Sequence, residues 1–168
     1  MSNAPHPRCI IRKAIVEKLK ESDTLAKDHV YDSRVKPLFD QHLPALLVYT
    51  RDEKVLENQY DGDGFFPYKR QLDIAVEGIL ANSPDLDELI DKLALDIEYA
   101  LLGFEIPGFL NAVIKMISTE TDVVIDGAHC YGAVRINYTI TYYTVGFRHF
   151  KNPKQRLDGD QNDNFRPH

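Results

Sequence analysis

Apolar positions along the chain recur first at the spacing of a helix and then at the two-residue spacing of strands. Over residues 8–22, RCIIRKAIVEKLKES, Ile11, Ala14, Ile15 and Leu19 share one side while Arg12, Lys13, Glu17 and Lys20 lie elsewhere. That spacing predicts an amphipathic helix with one buried stripe. Pro7 stands just upstream, where proline is tolerated at a helix start. Residues 29–35, HVYDSRV, read as a short extended piece closed by Pro37. In LPALLVYTRDE (43–53), Ala45, Leu47 and Tyr49 alternate with Leu46, Val48 and Thr50. Both faces are apolar, which predicts a central strand covered on both sides.

Residues 54–66, KVLENQYDGDGFF, supply turn residues between strands. PYKRQLDIAVEGIL (67–80) then sets Leu72, Ile74 and Val76 against Gln71, Asp73 and Glu77, a strand that buries one face only. A second helix starts in NSPDLDEL, with Ser83 as cap, Pro84 at the first helical position and Asp85, Asp87 and Glu88 at the positive end of the dipole. Its stripe is Leu86, Leu89, Ile90, Leu93, Ile97, Ala100 and Leu101, and Gly103 ends it. IPGFLNAVIKM reads as a short helical turn leading into a strand. ISTETDVVIDG and YGAVRINYTITYYTV read as two strands joined around Gly127 to Gly132.

In RINYTITYYT (135–144), Ile136, Tyr138, Ile140 and Tyr142 form a core face, and Asn137, Thr139, Thr141 and Tyr143 point the other way. The order of elements predicts an α+β fold: a mostly antiparallel mixed β-sheet of about four to five strands with helices packed against it. A chain of 168 residues accommodates one such domain, placed at residues 8–145. Residues 1–7 read as a disordered N-terminus or an added remnant. Residues 146–168 lose periodicity and read as a polar C-terminal tail.

Charge narrows the functions. Residues 1–145 carry 15 Lys/Arg against 23 Asp/Glu, and residues 146–168 carry 5 against 3. An acidic body argues against a protein whose main work is gripping phosphates. No apolar run approaches the ~20 residues of a membrane helix, so a soluble protein without a membrane partner is expected. Cys9 and Cys130 lie far apart and read as reduced thiols, with a single long-range disulfide as the alternative.

No catalytic, metal-binding or cofactor-binding constellation emerges. DGDG (61–64) resembles the start of a calcium loop, but Phe65, Phe66 and Pro67 occupy the places of the remaining ligands, so a plain turn is the expected structure. The six histidines never fall as HxxxH or HExxH. His129 and Cys130 are neighbours on an extended chain and point to opposite faces. Asp87, Asp91 and Glu98 read as the solvated side of the second helix.

Surfaces therefore carry the functional expectation. Tyr60, Phe65, Phe66 and Tyr68 crowd a polar turn, and Thr139, Thr141 and Tyr143 combine apolar bodies with hydrogen-bonding tips. These seven residues are the candidate interface. The competing expectation is a solvated sheet face rich in threonine for its β propensity.

The helix IRKAIVEKL, VYDSR leading to LPALLVY, the acidic loop before QLDIAVEGIL, the helix LDELIDKL and the final YTITYYT together resemble the tail terminator proteins of long-tailed bacteriophages, the lambda-type minor tail protein U family. The resemblance spans about residues 10–145. It implies six copies in a homo-hexameric ring that caps the tail tube, stops its polymerisation and offers a surface to the head. The implied partners are other copies of the chain, the tail tube protein and a head-completion or connector protein, with DNA passing through without specific binding. Neither catalysis nor a cofactor is implied, and the location is the virion tail, or the host cytoplasm during assembly. A neck or tail-completion protein of similar fold is the alternative within this class. A small-ligand-binding α+β domain is the alternative outside it.

Overall fold

Period-two patterning lets four long strands share one sheet, and the two apolar stripes give that sheet its cover. The computed structural model describes residues 5–32, 40–58, 65–81, 83–127 and 129–147. In chain order the elements are α1 (Pro7–Glu21), β1 (Val30–Tyr31), a 3-10 turn at Asp40–His42, β2 (Ala45–Asn58), β3 (Phe65–Ala81), α2 (Leu86–Leu101), β4 (Val113–Asp126) and β5 (His129–Phe147). The strands lie in the order β1-β2-β3-β5-β4, with β1 parallel to β2 and every other neighbour antiparallel. This is the α+β class and mixed sheet that the pattern predicts. β3 and β4 run in the same direction with β5 inserted between them, and α2 makes the crossover.

Both helices cover one face of the sheet. Ile11, Ile15 and Leu19 of α1 and Leu86, Ile90, Leu93 and Ile97 of α2 pack on Leu46, Val48, Leu72, Ile74, Val76, Val134, Ile136 and Ile140. The close seat of α2 depends on two glycines in the strands beneath it. A Cβ on Gly78 would lie 2.5 Å from Leu93 Cδ2, and one on Gly132 would lie 2.7 Å from Ile90 Cδ1. Asp96 fixes the chain leaving α1 to α2: its carboxylate accepts from the Leu25 backbone N–H at 3.1 Å and from Lys92 Nζ at 2.7 Å.

Several boundaries differ from the sequence expectation. Ser83 and Pro84 precede α2; the cap position belongs to Asp85, which makes no side-chain capping bond. The start is set by packing, since Leu86 is the first residue buried against Gly132. Gly103 does follow the helix, at φ +67°, a conformation that favours glycine. Residues 54–58 are strand rather than turn, because β3 continues alongside them with Glu57 opposite Lys69. Phe65 and Phe66 likewise belong to β3, paired with Phe147 and Gly146 of β5, while Tyr68 lies in the strand as predicted and pairs with Thr144. β3 also buries Ala75 on its second face, beneath Leu47 and Tyr49 of β2. The β4–β5 connection is shorter than predicted, with Gly132 inside β5, and β5 extends past residue 145 to Phe147.

Candidate interface

The helix-free face of the sheet is built from the alternate positions of the same strands. Tyr49 of β2, Glu77 of β3 and Arg135 of β5 stand side by side across three strands. The Tyr49 hydroxyl donates to Glu77 Oε2 at 2.7 Å, and Arg135 donates to both, at 3.1 Å to the hydroxyl and 3.2 Å to the carboxylate. Burial, reinforced by the bond to Glu77, raises the pKa of Tyr49. Arg135 also reaches Glu120 of β4 at 3.6 Å. Asn137 donates to Ser118 at 3.0 Å and Glu120 at 2.8 Å, and accepts from Arg51 at 3.3 Å. Polar groups here satisfy one another along the sheet instead of converging on a point.

Next to this network a groove of about 600 Å³ is lined by Arg51, Asp52, Gln71, Asp73, Asn137 and Thr139, among others. Its charges are of both signs, and Thr139 already donates to Asp73 Oδ1 at 3.0 Å. Such a lining offers hydrogen bonds to a polar surface laid across it. Among the described residues, no three His, Cys, Asp or Glu side chains gather in a way that could hold a metal ion. None of the helices among them is long and apolar enough to cross a membrane. His129 is exposed and stacked on Tyr131, with ring centroids 6.2 Å apart, while Cys130 packs against the core.

The structure divides the seven predicted interface residues. Thr139, Thr141 and Tyr143 share the helix-free face, with Thr139 and Thr141 half-buried and Tyr143 half-exposed. Tyr68 opposes Thr144, on the helix-bearing side, where the Arg70 guanidinium lies 5.5 Å from its ring centroid. Phe65 and Phe66 sit at the far end of the β3–β5 ladder. Tyr60 and the DGDG segment (61–64), expected to form a turn, lie outside the described residues. The candidate interface read from the sequence did not include Tyr49, Glu77, Glu120, Arg135 or Asn137, although Asn137 was placed on the same side as Thr139 and Thr141. A legible signal existed: Arg135, Asn137, Asp73 and Glu77 fall on the polar side of two alternating strands.

Comparison with solved structures finds the same architecture elsewhere. A chain of the virion of a native gene transfer agent (GTA) particle superposes with a TM-score of 0.52 at 17% identity, covering 84% of this chain and 100% of that one. The fold is shared with a virion chain. The type 4 fimbrial biogenesis protein PilO from Pseudomonas aeruginosa overlaps at a TM-score of only 0.22 and 10% identity, covering 59% of this chain and 58% of that one. The core region of PilO reaches 0.23 and 12% over 62% of this chain and 84% of its own. No family model and no curated protein sequence matches the chain.

Proposed function

We propose that the chain is a structural virion subunit: a tail terminator that closes as a homo-hexameric ring on the end of a tail tube and stops its growth. The observation that carries this reading is the fold shared with a virion chain over the whole of that chain's length. The helix-free sheet face supports it, because a broad polar face whose groups are already paired suits contact with another protein layer. An acidic body suits a lumen through which DNA slides without sticking. In this reading the distal ends of β2 and β3 and the Thr139, Thr141 and Tyr143 face supply contacts to neighbouring subunits, the tube protein and the head-side connector. The chain then works without catalysis, in the virion tail and, before assembly, in the host cytoplasm.

The test is tail length in negative-stain electron micrographs of particles made with the gene deleted and then restored. Tubes of unregulated length that become uniform on restoration establish termination. Uniform tails without heads move the role to the neck, and unchanged infectious particles overturn both. Substituting Phe65 and Phe66 by serine with no loss of assembly would remove the distal end of β3 from the contact.

A further inference from the structure

β4 forms one edge of the sheet over 14 residues. Val113, Met116, Ile117, Val123, Val124 and Ile125 on it are between 43% and 76% exposed. A long apolar edge with free backbone groups on one side is a template for pairing with another strand. It lacks proline, and its single lysine is Lys115.

The strand has one irregularity. Met116 opposes Tyr138 and Ser118 opposes Asn137, so Ile117 is an extra residue. The bulge reverses which residues face the helices. Before it, Val113 and Lys115 share the helix-free face; after it, Ser118, Glu120, Asp122 and Val124 do.

This reversal makes β4 self-complementary. We propose that the β4 edges of two copies of this chain pair antiparallel about a two-fold axis at Thr119. Lys115 of each copy then meets Asp122 of the other, Val113 meets Val124, and Ile114 meets Val123. Met116 meets Thr121, and the Ile117–Ser118 bulge opposes Glu120. Every pair lies on the same face of the joined sheet, which a bulge-free strand could not achieve in this register. Lys115 and Asp122 have no ion pair of their own among the described residues, whereas Glu120 is already held by Arg135 and Asn137. A register centred one residue earlier would turn Lys115 to that occupied carboxylate and leave Val124 without its apolar partner.

A two-fold contact uses the same patch twice and closes at two copies, unlike the head-to-tail contact of a ring. The inference therefore stands apart from the terminator reading. It assigns the free chain a dimeric form in which the β4 edge is covered.

The test is sedimentation of the full-length chain over a concentration series, with folding checked by circular dichroism. The wild type is expected to dimerise. Lys115→Asp and Asp122→Lys each place like charges at both ends of the pair, and each weakens dimerisation about tenfold. Combining them restores it. A monomeric wild type overturns the proposal. So does a dimer that only forms once residues 148–168 are removed, which would make that segment the native occupant of the edge. An oligomer indifferent to all three variants places the contact elsewhere and overturns it too.

Discussion

The Tyr142 hydroxyl donates to Glu53 Oε1, joining β5 to β2 across the intervening strand β3. Arg70 of β3 donates to the other carboxylate oxygen at 2.9 Å and to Thr144 Oγ1 at 2.9 Å. Three successive strands are thereby tied at one largely buried carboxylate. Phe109 stands edge-on to the Tyr142 ring, with centroids 5.4 Å apart, and closes one side of the cluster.

Replacing Glu53 by alanine strands both the guanidinium and the phenol. Because the Glu53 side chain is only 10% exposed and that of Arg70 22%, we expect a loss of about 2–3 kcal/mol. Glu53→Gln keeps an acceptor and should cost less. Urea unfolding of Glu53→Gln, Tyr142→Phe and the double variant should show a non-additive coupling of about 1 kcal/mol.

Tyr138 presents the opposite case. Its hydroxyl is buried and finds no hydrogen-bond partner among the described residues, although the ring fills the core beneath α2. Tyr138→Phe removes the unpaired group while keeping the ring, so it should stabilise the fold by about 1 kcal/mol. A thermal melt should show the midpoint rising by roughly 3 °C.

Alkaline pH should unfold the chain through these same two tyrosines. Burial is the first cause of the upward pKa shift in both, with the Glu98 charge adding to it at Tyr138 and the bond to Glu53 adding at Tyr142. The unfolded chain ionises near the ordinary value of 10.0, whereas the folded chain holds its protons to higher pH. Their contribution is therefore complete below about pH 10 and is lost as pH rises beyond it, at about 1.4 kcal/mol per unit for each tyrosine. Melts at pH 8, 10 and 11 should fall more steeply for the wild type than for Tyr138→Phe/Tyr142→Phe.

Those tyrosines mark where sequence reading stops. The alternation of 135–144 assigns Tyr138 and Tyr142 to the core face, and both are buried there. It does not reveal that one hydroxyl finds a carboxylate 89 residues away while the other has no partner among the described residues. Local period reports which way a side chain points; register between distant strands decides what it meets. Residues 54–58 read as turn for the same reason, because their strand character comes from β3 beside them. Both helices were legible because a stripe is a local property, yet the start of α2 was displaced by tertiary packing at Leu86. On the helix-free face, Thr139, Thr141 and Tyr143 were legible as a set. The Tyr49, Glu77 and Arg135 network was not, since a charge in a strand reads as solvated until its cross-strand neighbour is known.

Gly78 and Gly132 provide the sharpest packing test. Both lie in strands with ordinary backbone angles, so alanine meets no conformational obstacle there and only the space matters. At Gly78 the new methyl would press on Leu93, a side chain that is fully buried and has no free direction in which to retreat. At Gly132 it would meet Ile90 and, at 3.0 Å, Leu86. Overpacking of this kind costs about 1–3 kcal/mol. Each alanine variant should therefore lower the urea midpoint without changing the slope. The companion variant Gly78→Ala/Leu93→Ala separates sterics from propensity. Removing the side chain that the methyl strikes makes room for it, so the double variant should be more stable than the sum of the two single losses predicts. Strict additivity would mean that α2 does not rest on Gly78 as closely as the 2.5 Å approach of Leu93 Cδ2 requires.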